Sequence, residues 1–306
     1  GDVIDRKGRR PQQLFGALIV MVLGVAGCAL YFFATNWLLD TIYPAKGTDP
    51  VRAGANIRRA SQIRPWLFLG PAILALGLYL VYPVFDSVRL SLHDRGGENF
   101  VGLANYLDIL TNPDFADATV VTLIYALSAI AMELPLGLGF AVLLNQSFYG
   151  RALFRSGMMI PMVVTPSVLG IFWRLYYDTE SGLFNYFLAQ LGLGRVDWLG
   201  LDRALLSIIL MDVWQMTPFF MLILLAGLQS RDQEMLEAAR VDGAGPLQSF
   251  RFLTLPHLLP YILVACSFRL IGAMGDFDKI FLLTGGGPGN VTTTLSVFAY
   301  KMGFSA

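Results

Sequence analysis

Four acidic residues stand inside long apolar runs of this sequence, and chemistry is expected there first. Glu133, Asp212, Asp276 and Asp278 sit in stretches rich in Leu, Ile, Phe and Val. An ionisable side chain at membrane depth costs about 2.5–3.5 kcal/mol on insertion scales, so it faces a bundle interior or a wet cavity. Trp214, Gln215, Met216, Pro218 and Phe219 follow Asp212, while Gly272, Gly275 and Phe277 surround Asp276 and Asp278. Pro218 can loosen its helix, and the glycines mark a second place where backbone could open. Carboxylates and amides beside aromatic rings suit a polyhydroxylated ligand: rings cover C–H faces and polar groups accept from hydroxyls. Asp212 and Asp278 could instead pair with Arg269 or Arg174 and lock helices together. Asp276 and Asp278 could also hold a cation or a proton. Glu133, just before Pro135, reads as a helix-packing or gating carboxylate.

A second group of residues is informative through its spacing. Glu237-Ala238-Ala239-Arg240-Val241-Asp242-Gly243-Ala244 leads to Leu253 and then Leu255-Pro256, a moderately polar interruption between the apolar runs 205–228 and 258–283. Residues 233–240 are good helix formers. Small Ala238 and Ala239 let another backbone approach closely. Gly243 can end the helix in a left-handed conformation, Pro246 suits the first turn of a second helix, and Pro256 is expected to end it. Two short helices joined at a glycine make a compact knob that a partner can grip.

These residues must be held by membrane-spanning helices. The chain is 55% hydrophobic and 14% charged, with a mean hydropathy of +0.59, against about 25% charged residues in soluble domains. Six apolar stretches are long enough to span a bilayer: 14–34, 66–86, 119–144, 157–177, 205–228 and 258–283. The expected fold is an all-α polytopic membrane bundle. Residues 1–65 form an accessory N-terminal helix and basic linker, and 66–306 a core with the polar loop at 229–257. Arginines at 52–64, at 151 and 155, and at 231, 240 and 251 place those three loops on the cytoplasmic side. The loops 87–118 and 178–204 then face outward. Residues 1–13 fall outside by parity although they are basic, so the first span is the weakest part of the topology.

Other chemistry is excluded. Formal net charge is zero, which gives no electrostatic case for nucleic acid. Cys28 and Cys266 have neither metal-site spacing nor a disulfide framework. Gly285-Gly286-Gly287-Pro288-Gly289 lacks a following Gly-Lys-Ser/Thr, and Pro288 removes a backbone donor, so a tight outer turn is expected there instead of a phosphate loop. No nucleophile elbow or paired catalytic acid appears, and no metal site is expected.

The Glu-Ala-Ala segment, with Gly243 and Leu255-Pro256 at their spacings, resembles the EAA pattern of bacterial ABC importer permeases. Phe100-Val101-Gly102-Leu103-Ala104-Asn105-Tyr106, Thr165-Pro166-Ser167, Asp212-Val213-Trp214-Gln215 and Leu283-Thr284-Gly285-Gly286-Gly287-Pro288 are similar to segments of sugar permeases of the maltose system's larger-subunit kind. Asn56-Ile57-Arg58-Arg59-Ala60 and Arg64-Pro65-Trp66 resemble α-glucoside permeases. The resemblance implies a type I ABC importer permease fold, with a seventh helix beyond the six visible ones. The chain starts at Gly1 without an initiator Met, and Ser296 to Ala306 is where permeases of the resembled kind are expected to continue into that last helix.

The resemblance also implies roles and partners. Glu237, Ala238, Ala239, Asp242, Gly243, Ala244 and Pro256 would couple to an ATPase. Asp212, Met216 and Phe219 on one helix, with Met274, Gly275 and Asp278 on another, would line a sugar site. Two ATP-binding subunits, a second homologous permease and an extracytoplasmic sugar-binding protein would be partners, with an oligosaccharide as cargo. ATP and Mg would belong to the ATPase, leaving no cofactor in this chain and no enzyme activity of its own. The expected location is the bacterial cytoplasmic (inner) membrane. The alternative is an ion-coupled secondary transporter of a small polar solute. That alternative calls for inverted repeats with broken helices in each half, which the sequence does not display.

Overall fold

The computed structural model describes residues 24–304 apart from residue 25, residues 45–48 and residue 95. Most of the predicted first span, 14–34, therefore lies outside the described residues. The chain forms two compact units, Gly1–Asn105 and Tyr106–Ala306.

In the first unit α1 covers 26–42, and α2 is a single long helix, Pro50–Ser91. A π-helical turn at Gly77–Val81 interrupts α2 two residues before Pro83. A proline ring clashes with the carbonyl four residues back, and the wider turn accommodates it. Beyond α2 the side-chain amide of Asn105 donates to the carbonyls of Ser91 at 2.9 Å and His93 at 2.7 Å. Those bonds fix the Phe100–Tyr106 signature as a folded-back loop, with Gly102 at φ +61°.

The second unit is built on α4, Pro113–Asn145, which follows the short α3, Ala104–Leu110. Asn112 caps α4 by accepting from the Asp114 amide at 2.9 Å. Next come α5, Arg151–Met158, α6, Ile160–Val163, and α7, Pro166–Tyr176. The predicted span 157–177 is thus two pieces, Arg151–Val163 and Pro166–Tyr176, bent by 93°. Pro166 explains the break, because it drives Thr165 into an extended conformation, φ −64° and ψ 141°. After α8, Leu183–Gln190, the central helix α9 runs Ala204–Gln229. Pro218 sits inside α9 without interrupting it.

The Glu-Ala-Ala segment follows as α10, Gln233–Val241, and α11 then runs unbroken from Pro246 to Gly275. Pro256 does not end a helix as the sequence reading expected. A π turn at Phe250–Thr254 again lies just upstream and absorbs the proline. The predicted span 258–283 is also shorter than expected. Its helix stops at Gly275, Asp276 is extended at φ −62° and ψ 116°, and α12, Asp278–Thr284, restarts beyond. Last comes α13, Leu295–Phe304. Among the described residues four helices are long and apolar enough to cross a membrane, or five with the bent pair. These correspond to the five predicted spans from 66–86 onward, and the sixth, 14–34, falls mostly outside the described residues, so the count of six is not confirmed.

Two apolar cores hold this unit. Tyr125, Ala129, Ile208, Met211, Ala273 and Ile280 belong to one, and Ala141, Leu144, Phe220, Leu224, Leu258 and Ala265 to the other. Between α4 and α9 the approach is close at Gly137, where a Cβ would stand 2.4 Å from the Phe220 Cβ and 2.9 Å from the Met221 nitrogen. Gly137→Ala is therefore expected to destabilise the bundle by about 1–3 kcal/mol through overpacking. A thermal melt in detergent reads the effect, and an unchanged midpoint would show that α4 and α9 can separate freely.

Candidate functional site

Between the two cores, the middle turns of three helices carry charge. Glu133 on α4, Asp212 on α9 and Arg269 on α11 are all buried. The Arg269 guanidinium grips Glu133 with two parallel bonds, Nε to Oε2 at 2.9 Å and Nη2 to Oε1 at 3.1 Å, and also pairs with Asp212. From α12 the buried Lys279 reaches Asp212 Oδ1 at 2.5 Å and Asp276 Oδ2 at 2.8 Å. Arg269 lies 3.5 Å from the same Asp276 oxygen. The Tyr125 hydroxyl is 2.7 Å from an oxygen of Asp212 and 2.7 Å from one of Asp276. Gln215 completes the cluster: its carbonyl faces Lys279 at 3.4 Å, and its amide donates to the Val164 carbonyl at 3.0 Å. Val164 is the residue at which the 93° bend begins. One network therefore ties α4, α9, α11, α12 and the bent hinge together.

This arrangement changes how the acids read. Asp212 is fully buried and its oxygens are engaged by Arg269, Lys279 and Tyr125, so in this conformation it faces no open cavity. The pairing of Asp212 with Arg269 is what the structure displays. Asp278 does not join: it is the exposed first residue of α12. Arg174 is exposed on α7 and outside the network. Asp276, expected beside a polyhydroxylated ligand or as an ion site, is part of the cluster instead. Met216 and Phe219 are partly exposed on α9, Met274 is exposed, and Gly275 is the last residue of α11. Sequence reasoning missed Lys279 and Tyr125. Lys279 carried a legible signal, as a cation inside 258–283 beside two acids, Asp276 and Asp278. Tyr125 carried none, because a tyrosine in an apolar run looks like any core aromatic.

The first half of the Glu-Ala-Ala segment forms as expected, a helix ended at Gly243, whereas the expected short second helix is the start of α11. Asp232 caps α10 by accepting from the Glu234 amide at 2.9 Å. Gly243 takes φ +80°, and the Ala244 amide closes back on the Ala239 carbonyl at 2.9 Å. Pro246 opens α11, and the Gln248 side chain accepts from the Gly245 amide at 3.0 Å. Glu237 and Ala238 are exposed. Ser230, at the start of the loop, contacts the Tyr261 hydroxyl at 2.8 Å and His257 Nε2 at 3.2 Å, which pins α9 to α11 below the knob. Nothing lies within 4 Å of a Cβ built on Gly243. Any loss on substitution there comes from backbone strain. Gly243→Ala should cost about 1–2 kcal/mol and Gly243→Val more, since left-handed backbone disfavours β-branching. Hydrogen exchange of the α10 amides checks this, and unchanged protection in the Val variant would contradict it.

Fold and loop together define an all-helical membrane protein that offers a compact knob beyond its spans. Residues 133–305 match the family described as the binding-protein-dependent transport system inner membrane component. A probable ABC transporter permease protein of Sinorhizobium fredii, y4oQ, is 55% identical over 262 residues, covering 83% of this chain and 85% of that protein. The trehalose/maltose transport system permease protein MalF of Thermococcus litoralis is 39% identical over 77% of this chain and 82% of its own length. The alpha-glucoside transport system permease protein AglF of Rhizobium meliloti is 37% identical over 90% and 84%. In fold, the chain is similar to a bacterial alginate ABC transporter solved in complex with an alginate pentasaccharide-bound periplasmic protein. There the TM-score is 0.70 at 21% identity, covering 82% of this chain and 86% of that one. The chain belongs to the family of binding-protein-dependent transport system inner membrane components, the permease subunits of ABC importers.

Proposed function

We propose that the chain is one permease subunit of an ATP-driven importer of oligosaccharides of the α-glucoside or maltose-like kind. The carrying observation is the exposed Glu237-Ala238 face of α10, set on a knob closed by Gly243, in a chain of this family. Two ATP-binding subunits grip this knob and its counterpart on a second homologous permease, and ATP and Mg reside on them. A binding protein delivers sugar to the outer loops. ATP closure pushes the knobs together and opens the path outward, and hydrolysis resets it inward. The relatives named for trehalose/maltose and alpha-glucoside transport support the sugar class. Met216 and Phe219 on α9, with Met274, Gly275 and Asp278 at the α11–α12 break, form the sugar-facing set. Asp212 joins it when the network rearranges, since its oxygens are engaged here.

Energy source provides the test. In reconstituted vesicles, uptake should persist when proton and sodium gradients are collapsed and ATP is maintained. Immediate loss of uptake would favour an ion-coupled carrier and overturn the reading.

A further inference from the structure

Behind α10 lies a cleft in which the importer reading uses only Glu237, on one wall. It opens where α4 and α9 end, at Asn145 and Gln229, and has a volume of about 440 Å³. Arg151, Arg231 and Arg240 all line it, and Glu237 is the carboxylate on its wall. None of the three arginines forms an ion pair among the described residues. Arg231 is steered into place by the Thr254 hydroxyl of α11, and burial draws its pKa below the ordinary arginine value. It therefore loses hydration without gaining an anion. An arginine has five N–H donors, and one hydroxyl leaves most of them free. Three guanidiniums against one carboxylate leave the cleft with an excess of positive charge. It lies at the last turns of α4 and α9, two helices apolar enough to cross a membrane, and basic clusters at the ends of such helices attract anionic headgroups. Guanidinium forks match phosphate oxygens bidentately.

We propose that this cleft binds a phosphate group, carried either by an anionic phospholipid headgroup or by free phosphate. A phosphate held there bridges Arg151 at the span ends to Arg240 on α10, and so stiffens the knob against the bundle. The proposal goes beyond the importer reading and stands on its own geometry.

The test uses the full chain in nanodiscs. One arm measures phosphatidylglycerol retained from mixed phosphatidylglycerol and phosphatidylcholine discs by native mass spectrometry. The other titrates inorganic phosphate into phosphatidylcholine discs. Arg151→Gln and Arg240→Gln should each weaken binding about tenfold, the scale of one charge-assisted hydrogen bond. Glu237→Gln should tighten it, because a repelling carboxylate is gone, and a misfolded variant could not mimic that gain. Binding in the first arm alone assigns the lipid, and in the second alone the free anion. Equal retention of both lipids and no phosphate binding would overturn the proposal. So would arginine variants that keep full binding yet lose a co-purifying ATPase, which would give the cleft to acidic side chains of that protein. Neither arm requires ATPase or sugar, so failure here leaves the importer reading intact.

Discussion

Replacing Arg269 with Met is expected to destabilise the bundle by about 3–5 kcal/mol, the usual cost of removing one partner of a buried ion pair. The substitution conserves much of the volume but leaves Glu133 with no cation in bonding range among the described residues, and Asp212 with Lys279 and the Tyr125 hydroxyl. Two helices lose their link to α11 at once. Yield of monodisperse protein and the thermal midpoint in detergent both report the loss. A double variant, Glu133→Gln with Arg269→Met, removes the orphaned charge and should recover part of the stability. Equal destabilisation in the single and double variants would show that packing at Arg269 matters and its charge does not. Lys279→Met should behave similarly through Asp212 and Asp276, because Lys279 is buried and bonds both.

Glu237→Lys is expected to abolish sugar-stimulated ATP turnover while leaving the chain inserted and folded. Glu237 is exposed, and no intramolecular ion pair involving it occurs among the described residues, so its reversal leaves this fold alone. Its effect falls on a docked partner, where reversing a buried charge contact reduces turnover by about thirtyfold or more. Stimulated ATPase activity in reconstituted transporter provides the measurement, with membrane insertion checked in the same preparation. Wild-type stimulation would remove Glu237 from the coupling contact, although family membership would stand. The two variants separate the two devices of the chain: Arg269→Met weakens the fold before coupling, and Glu237→Lys coupling without the fold.

What the sequence determined by itself is local. The knob was legible because each feature depends on a few neighbours: good helix formers over 233–240, left-handed backbone at Gly243, a proline at the first turn of α11. Membrane residence was legible from composition, because burying polar backbone in lipid leaves a chain this apolar few alternatives to helices. Prolines were only half legible. Pro166 broke its span as its chemistry dictates, whereas Pro83 and Pro256 were absorbed by π turns that no residue pattern announced. The acids were visible at membrane depth and Arg269 was among the partners weighed for them, but Lys279 and Tyr125 were not. Glu133 and Arg269 stand 136 residues apart, and Tyr125 and Asp276 stand 151 apart. Which faces of α4, α9, α11 and α12 meet is set by packing, including the close approach at Gly137 that only a residue without a Cβ permits. Tertiary structure alone decided that Asp212 is locked between two cations while Asp278, two residues beyond Asp276, stays exposed. The helix break at Asp276 turns Lys279 inward and leaves its neighbour outside.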